Sequence, residues 1–341
     1  GIPINLSIFD ALIVYNDFRK WTYAMRELMR GGMGEALFGR YWSMVQILWR
    51  GKVRRLFGGT MLLAMVAVFG GCAVQPYYYS YAVESENTML LRDGESQFEH
   101  GRPNAFIDGL GHYILSLPSK IMLWNWQVDR HYVSPLHEKE LERYLEKNDL
   151  HSVKVRINQY APGGEWSRLF RNSGVTPFWR YTIGILSMVN YTILPGRLFG
   201  GDNYNPYTNT INIYSNHPAI LLHEAGHAKD FARRRRPWNG IYAALRYLPF
   251  VPLYQEAIAT GDAVGYMREE AQTREEKRAY KVLYPAYGTY IAGQALDLSM
   301  ANPAWWVRYV VYAGVVIPAH VVGRVKAAHV EDDEVSAELT R

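Results

Sequence analysis

The chain has 341 residues, of which 49% are hydrophobic, 14% aromatic and only 20% charged, which excludes disorder and leaves material for a sizeable core. A mean hydropathy of -0.19 argues against a multi-span transporter. The net charge of +5 is modest, and the single cysteine, Cys72, excludes both an internal disulfide and a cysteine-based zinc site.

Residues 1–55 carry nine Lys/Arg against four acids. No nucleic-acid module accompanies them, so a membrane surface is the better partner than nucleic acid. Within this basic segment Leu37, Tyr41, Met44, Val45 and Leu48 follow helical spacing. That face suits either a membrane surface or a partner in a membrane complex. From Leu56 to Val83 no residue is charged, and the stretch 56–74 is long enough to span a bilayer as a helix. Lys52, Arg54 and Arg55 precede it, which keeps the first 55 residues cytoplasmic and sends the rest across. Two other readings stand beside the anchor: a lipoprotein-like signal with Cys72 as the lipidated residue, and a buried core helix.

Residues 75–150 form an aromatic-rich helical region, opened by Tyr77-Tyr78-Tyr79 and carrying a helix that starts near Pro135. Ser152–Asn158 alternates polar and apolar residues and reads as a strand ended by Pro162-Gly163-Gly164. Tyr181–Pro195 and Tyr309–Gly323 are uncharged but short, so they suit core or interfacial helices better than spans. Thr208–Ser215 reads as a second strand, and Pro218 opens a helix expected to run to about Arg235 and to stop at Trp238-Asn239-Gly240.

That helix carries Leu221-Leu222-His223-Glu224-Ala225-Gly226-His227. Histidines four apart project from one helical face, so two imidazoles can reach one metal at about 2.0–2.1 Å. Glu224 lies about 100° round the helix from His223. It is beside the metal rather than on it, where a carboxylate can take a proton from a zinc-activated water. The same motif could also be a charged helix surface with two solvated histidines. Catalytic zinc also needs a third protein ligand. The metzincin pattern would place Gly and His at positions 230 and 233, where this chain has Asp230 and Arg233. The gluzincin pattern takes a Glu from a later helix, and Glu256 lies 28 intervening residues after His227.

With His223, Glu224, His227 and Glu256-Ala257, the chain resembles the gluzincin metallopeptidases, nearest to the membrane-associated prenyl-protein and heat-shock membrane protease branch. The resemblance covers roughly residues 150–300. It implies an α+β zincin-like fold with a small sheet beside the active-site helices. It also implies Zn2+ held by His223, His227 and Glu256, with Glu224 as general base for peptide-bond hydrolysis. One departure stands out: where that family places an Asp three or four residues after the ligand Glu, this chain has Ala259 and Thr260. Asp230 and Asp262 are the candidates for the missing outer acceptor. Tyr284, Tyr287 and Tyr290 are candidate oxyanion donors, each with core packing as its bland reading. Thr208–Ser215 either pairs with an extended substrate, as the corresponding zincin strand does, or is a plain interior strand. Arg233–Arg236 is a solvated helix end or a contact for lipid headgroups, and His320 and His329 are ordinary histidines.

The expected organisation is therefore a basic segment (1–55), an anchor (56–74), the aromatic-rich region (75–150), a zincin catalytic domain (151–325) and an acidic tail (326–341). The expected activity is a zinc metalloendopeptidase acting on a peptide or protein near membrane lipid, with its catalytic domain on the extracytoplasmic side. The alternatives are a non-catalytic zincin-fold subunit of a membrane complex, with a structural or absent metal, and a zinc hydrolase of non-peptide amides.

Overall fold

The alternating pattern at Ser152–Asn158 and the β-branched run at Thr208–Ser215 form the two central strands of a four-stranded sheet. The computed structural model describes residues 77, 89–234, 236–298 and 305–331, all of which belong to one contact unit. The expected basic segment, the anchor at 56–74, Cys72 and most of the acidic tail lie outside the described residues.

The strands are β1 (Phe98–His100), β2 (Lys154–Ile157), β3 (Asn203–Asn205) and β4 (Thr210–Ile213), in the spatial order β1-β2-β4-β3. The β1–β2 and β2–β4 pairs are parallel and the β3–β4 pair is antiparallel. β4 is thus hydrogen-bonded on both sides, so the strand before the helix that carries His223 and His227 is an interior strand and not one that can add a further chain. β1 comes from the aromatic-rich stretch, which contributes directly to this sheet.

The helices in chain order are α1 (Ala105–Leu110), α2 (Leu117–Leu123), α3 (Pro135–Lys147), α4 (Pro162–Arg171), α5 (Pro177–Trp179), α6 (Ile185–Ile193) and α7 (Gly196–Phe199). They continue with α8 (Pro218–Ala232), α9 (Trp238–Leu245), α10 (Val251–Glu269), α11 (Thr273–Leu298) and α12 (Trp305–Ala328). The architecture is mixed α+β and mainly helical.

Side chains alternate across a strand, and here the two faces of the sheet differ in kind. On one face Arg156 donates to Glu165 of α4 (Nε to Oε1 2.7 Å) and Lys154 to Glu99 (2.5 Å), a buried layer in which each charge has a partner. The other face carries Val155, Ile157, Ile211 and Ile213, all buried. Tyr204, aligned with Ile211, meets Phe231 of α8 at 6.0 Å between ring centroids, which puts α8 on this apolar face.

α8 begins where proline predicts, with Pro218 in its first turn, and every residue except Phe231 is buried. It ends at Ala232, three residues short of the expected Arg235. Trp238-Asn239-Gly240 opens α9 instead of stopping α8, because Pro237 lacks a donor and stands at the N-cap of the new helix. Pro162-Gly163-Gly164 likewise starts α4. α8 packs against α10, and Gly226 permits their close approach: a Cβ there would lie 3.1 Å from the Ala259 carbonyl oxygen.

α11 and α12 pack along one another. Among the described residues, Arg308–Ala328 is the one helical stretch long and apolar enough to cross a membrane. It outruns the short uncharged stretch Tyr309–Gly323 because the helix continues through Pro318 and on past Arg324 and Lys326. The Tyr181–Pro195 stretch is a π-helical turn followed by α6. It buries Met188 with Leu169, Val175 and Tyr207 but leaves Tyr181, Leu186, Val189 and Ile193 exposed.

Candidate metal centre

His223 and His227 project from one side of α8 with ring centroids 4.7 Å apart and ring planes nearly perpendicular. The facing side of α10 brings in Glu256. Its Oε2 lies 3.0 Å from His223 Nε2 and its Oε1 3.3 Å from His227 Nε2. All three residues are buried, and one donor atom from each lies within 4.8 Å of the others.

This donor set fits zinc. Two atoms bound tetrahedrally at about 2.0–2.1 Å stand roughly 3.3 Å apart, close to the spacings seen here. Burial pushes the His227 imidazole down to about 4, so it is uncharged at neutral pH. Burial alone would raise the Glu256 carboxyl, but its contacts with the His227 imidazole, the Arg246 charge and the His223 imidazole hold it well below the usual carboxylate range. An ionised carboxylate facing the nitrogen of an uncharged ring calls for a cation or a shared proton between them. His223 Nδ1 lies 3.3 Å from Thr260 Oγ1. With Nδ1–H donated to that hydroxyl, Nε2 keeps its lone pair for the metal.

Glu224, the residue after the first histidine, is completely buried. Its charge acts on His227, Arg246 and Tyr290, so it shares the electrostatic neighbourhood of the three donors. Of the three candidate tyrosines, Tyr290 is the one beside Glu256. Burial, the Glu256 charge and a hydrogen bond to that carboxylate keep its phenol protonated far above the ordinary range. Tyr284 packs edge-on against Tyr280, with centroids 5.4 Å apart, and Tyr287 is buried within α11.

The two candidate outer carboxylates face elsewhere. Asp230 accepts from Arg234 (2.9 Å) and from the Tyr242 hydroxyl. Asp262 accepts from Lys229 (2.7 Å) and from the Tyr144 hydroxyl. Thr260 is the partner of His223 because it stands four residues after Glu256 and shares its helical face, whereas Asp262 stands six after and points away. In the arginine run Arg233 and Arg236 are exposed, while Arg234 pairs with Asp230 and Arg236 Nη1 donates to the Ser173 carbonyl (3.0 Å). His320 is a core histidine, bonded to the Met122 carbonyl (2.9 Å) and stacked on Trp124.

Arg246 was not foreseen. It caps the C-terminus of α9 and donates from Nη2 to Glu256 Oε1 at 2.6 Å. Burial works against its charge, but Glu256, Tyr290 and Glu224 together push its pKa up. Nothing in the spacing of the motif points to it, because it reaches the site through a separate helix. No protein-family model, curated protein or solved structure matches the chain. The functional reading therefore rests on the site.

Proposed function

We propose that this chain is a zinc-dependent metallopeptidase of the gluzincin type, with a zincin-like fold, related to the membrane-associated prenyl-protein and heat-shock membrane protease branch. The observation that carries this reading is the buried convergence of His223, His227 and Glu256 from two helices, with Glu224 beside them. His223, His227 and Glu256 would hold the ion. Zinc bound there would polarise a substrate carbonyl and ease the deprotonation of water. Glu224 takes the proton from that water and delivers one to the leaving amine. Tyr290 stays protonated and so offers a hydrogen bond at the carbonyl that gains negative charge.

The substrate is a peptide or protein near a membrane. β3 is paired on one side only among the described residues, which makes it, and not β4, the strand suited to align an extended chain. Membrane anchorage is supported by α12 and by the uncharged stretch 56–74, with the site on the extracytoplasmic side. One observation favours the second reading, a metal-free subunit of a membrane complex: Arg246 already balances the Glu256 carboxylate.

Bound zinc and hydrolysis of a peptide library, measured on the wild type and Glu224→Gln, test the proposal. One zinc per chain is expected in both, with hydrolysis reduced by about 10³-fold or more in the variant. Zinc without Glu224-dependent cleavage would move the assignment to a structural site. Absence of zinc would move it to the metal-free subunit.

A further inference from the structure

We propose that Thr260 and Arg246, a neutral hydroxyl behind His223 and a cation behind Glu256, weaken the protein's hold on zinc. The inference rests on the metal-site reading above.

A metal-bound imidazole ordinarily donates its second N–H to a carboxylate, a carbonyl or water, and a carboxylate there makes the ring a stronger donor. Behind His223 stands a neutral hydroxyl, Thr260 Oγ1, 3.3 Å from Nδ1. Asp230 pairs with Arg234 and Asp262 with Lys229, so neither of these acids stands behind His223. Behind the third donor the sign is reversed. Arg246 Nη2 donates to Glu256 Oε1 at 2.6 Å, so a full positive charge sits on the carboxylate that should attract the metal.

Arg246 is held there by more than its own ion pair. Gln255, the neighbour of Glu256, donates from Nε2 to the Tyr242 carbonyl (3.1 Å), which ties the end of α9 to the start of α10. The guanidinium thus arrives with the backbone that carries it.

Two consequences follow. Arg246 neutralises Glu256 in the metal-free protein, so that state does not contain an uncompensated buried carboxylate. When a dication enters, the same guanidinium repels it and draws electron density from its oxygen donor. Glu256 is then left with Oε2, on the His223 side, as its better donor atom. Arg246 and Thr260 are positioning residues in this scheme, acting through Glu256 and His223.

The test is the zinc affinity of the full-length, metal-stripped protein, read by competition with a chromophoric chelator. Thr260→Asp and Arg246→Met are each expected to bind zinc about 10- to 100-fold more tightly than wild type, the range over which outer partners act. Thr260→Ser and Arg246→Lys, which keep the hydroxyl and the charge, should stay within about 3-fold of wild type on the same scale. Arg246→Met should also lower the unfolding midpoint of the metal-free protein, and zinc should restore it. If Arg246→Met fails to fold, Thr260→Asp decides alone. Equal or weaker binding by Thr260→Asp overturns the inference while leaving the site intact. A wild type that binds no zinc overturns the site reading itself.

Discussion

α10 carries two acids a turn and a half apart, Glu256 buried and Asp262 partly buried, and their surroundings differ in kind. Asp262 meets the Lys229 ammonium and the Tyr144 hydroxyl, and Lys229 in turn lies over the Tyr77 ring at 3.7 Å. Every group facing Asp262 brings its own proton. Glu256 meets two imidazoles that present ring nitrogens, with one guanidinium at its back. The first arrangement closes on itself and needs nothing more. The second brings two imidazole nitrogens and a carboxylate to one point. What sets the candidate metal site apart from the ion pair is therefore not charge but the two imidazoles beside the carboxylate, whose nitrogens can ligate a metal.

Substitution of the two acids tests this contrast most directly. Glu256→Gln should lower zinc affinity by about 10²-fold or more, since a ligand matters at least as much as an outer partner. Asp262→Asn should leave zinc binding unchanged; a matching loss from both variants would erase the distinction. Stability should respond the other way round. Asp262→Ala strands the buried Lys229 ammonium, and denaturant unfolding should register a loss of about 3–5 kcal/mol.

Gly226→Ala probes the contact that brings the two helices together. Its new methyl meets the Ala259 carbonyl oxygen, and the resulting strain should cost about 1–3 kcal/mol. Because that contact sets the distance from the histidines to Glu256, zinc affinity should fall too, whereas the more distant Gly163→Ala should leave it untouched.

The head of α8 supplies a histidine with no carboxylate partner among the described residues, to compare with the His223–His227 pair. Burial, Arg278 and His137 push His217 down to about 3. Its folded pKa is below its unfolded value of about 6.5, so the unfolded chain binds more protons in that window. Stability should therefore decline as pH falls from about 6.5 towards 3, by at most about 1.4 kcal/mol per pH unit from this group. Unfolding measured across that range in His217→Asn should show a shallower slope than wild type.

Much of this was legible in the residues. The two central strands were visible because alternation and β-branching are local properties, and Pro135 and Pro218 marked helix starts for the same reason. Trp238-Asn239-Gly240 misled because Gly suggests a stop, whereas here it allows contact: a Cβ on Gly240 would meet the Trp179 ring at 2.6 Å. The interior position of β4 was hidden because strand order depends on partners from β2 and β3, about fifty residues away and a few residues away respectively.

By itself the sequence determined the His223–Glu224–His227 face, since a four-residue spacing on a helix has one geometric meaning. It also singled out Glu256, with the help of a resemblance. Tertiary structure alone decided which of several nearby groups stands behind each donor: Thr260 in place of Asp262, Tyr290 in place of Tyr284, and Arg246 from a helix outside the motif. The reason is physical. Direction around one helix follows from residue number, but contact between helices follows from how closely their backbones pack, and at this site that is set where Gly226 meets Ala259.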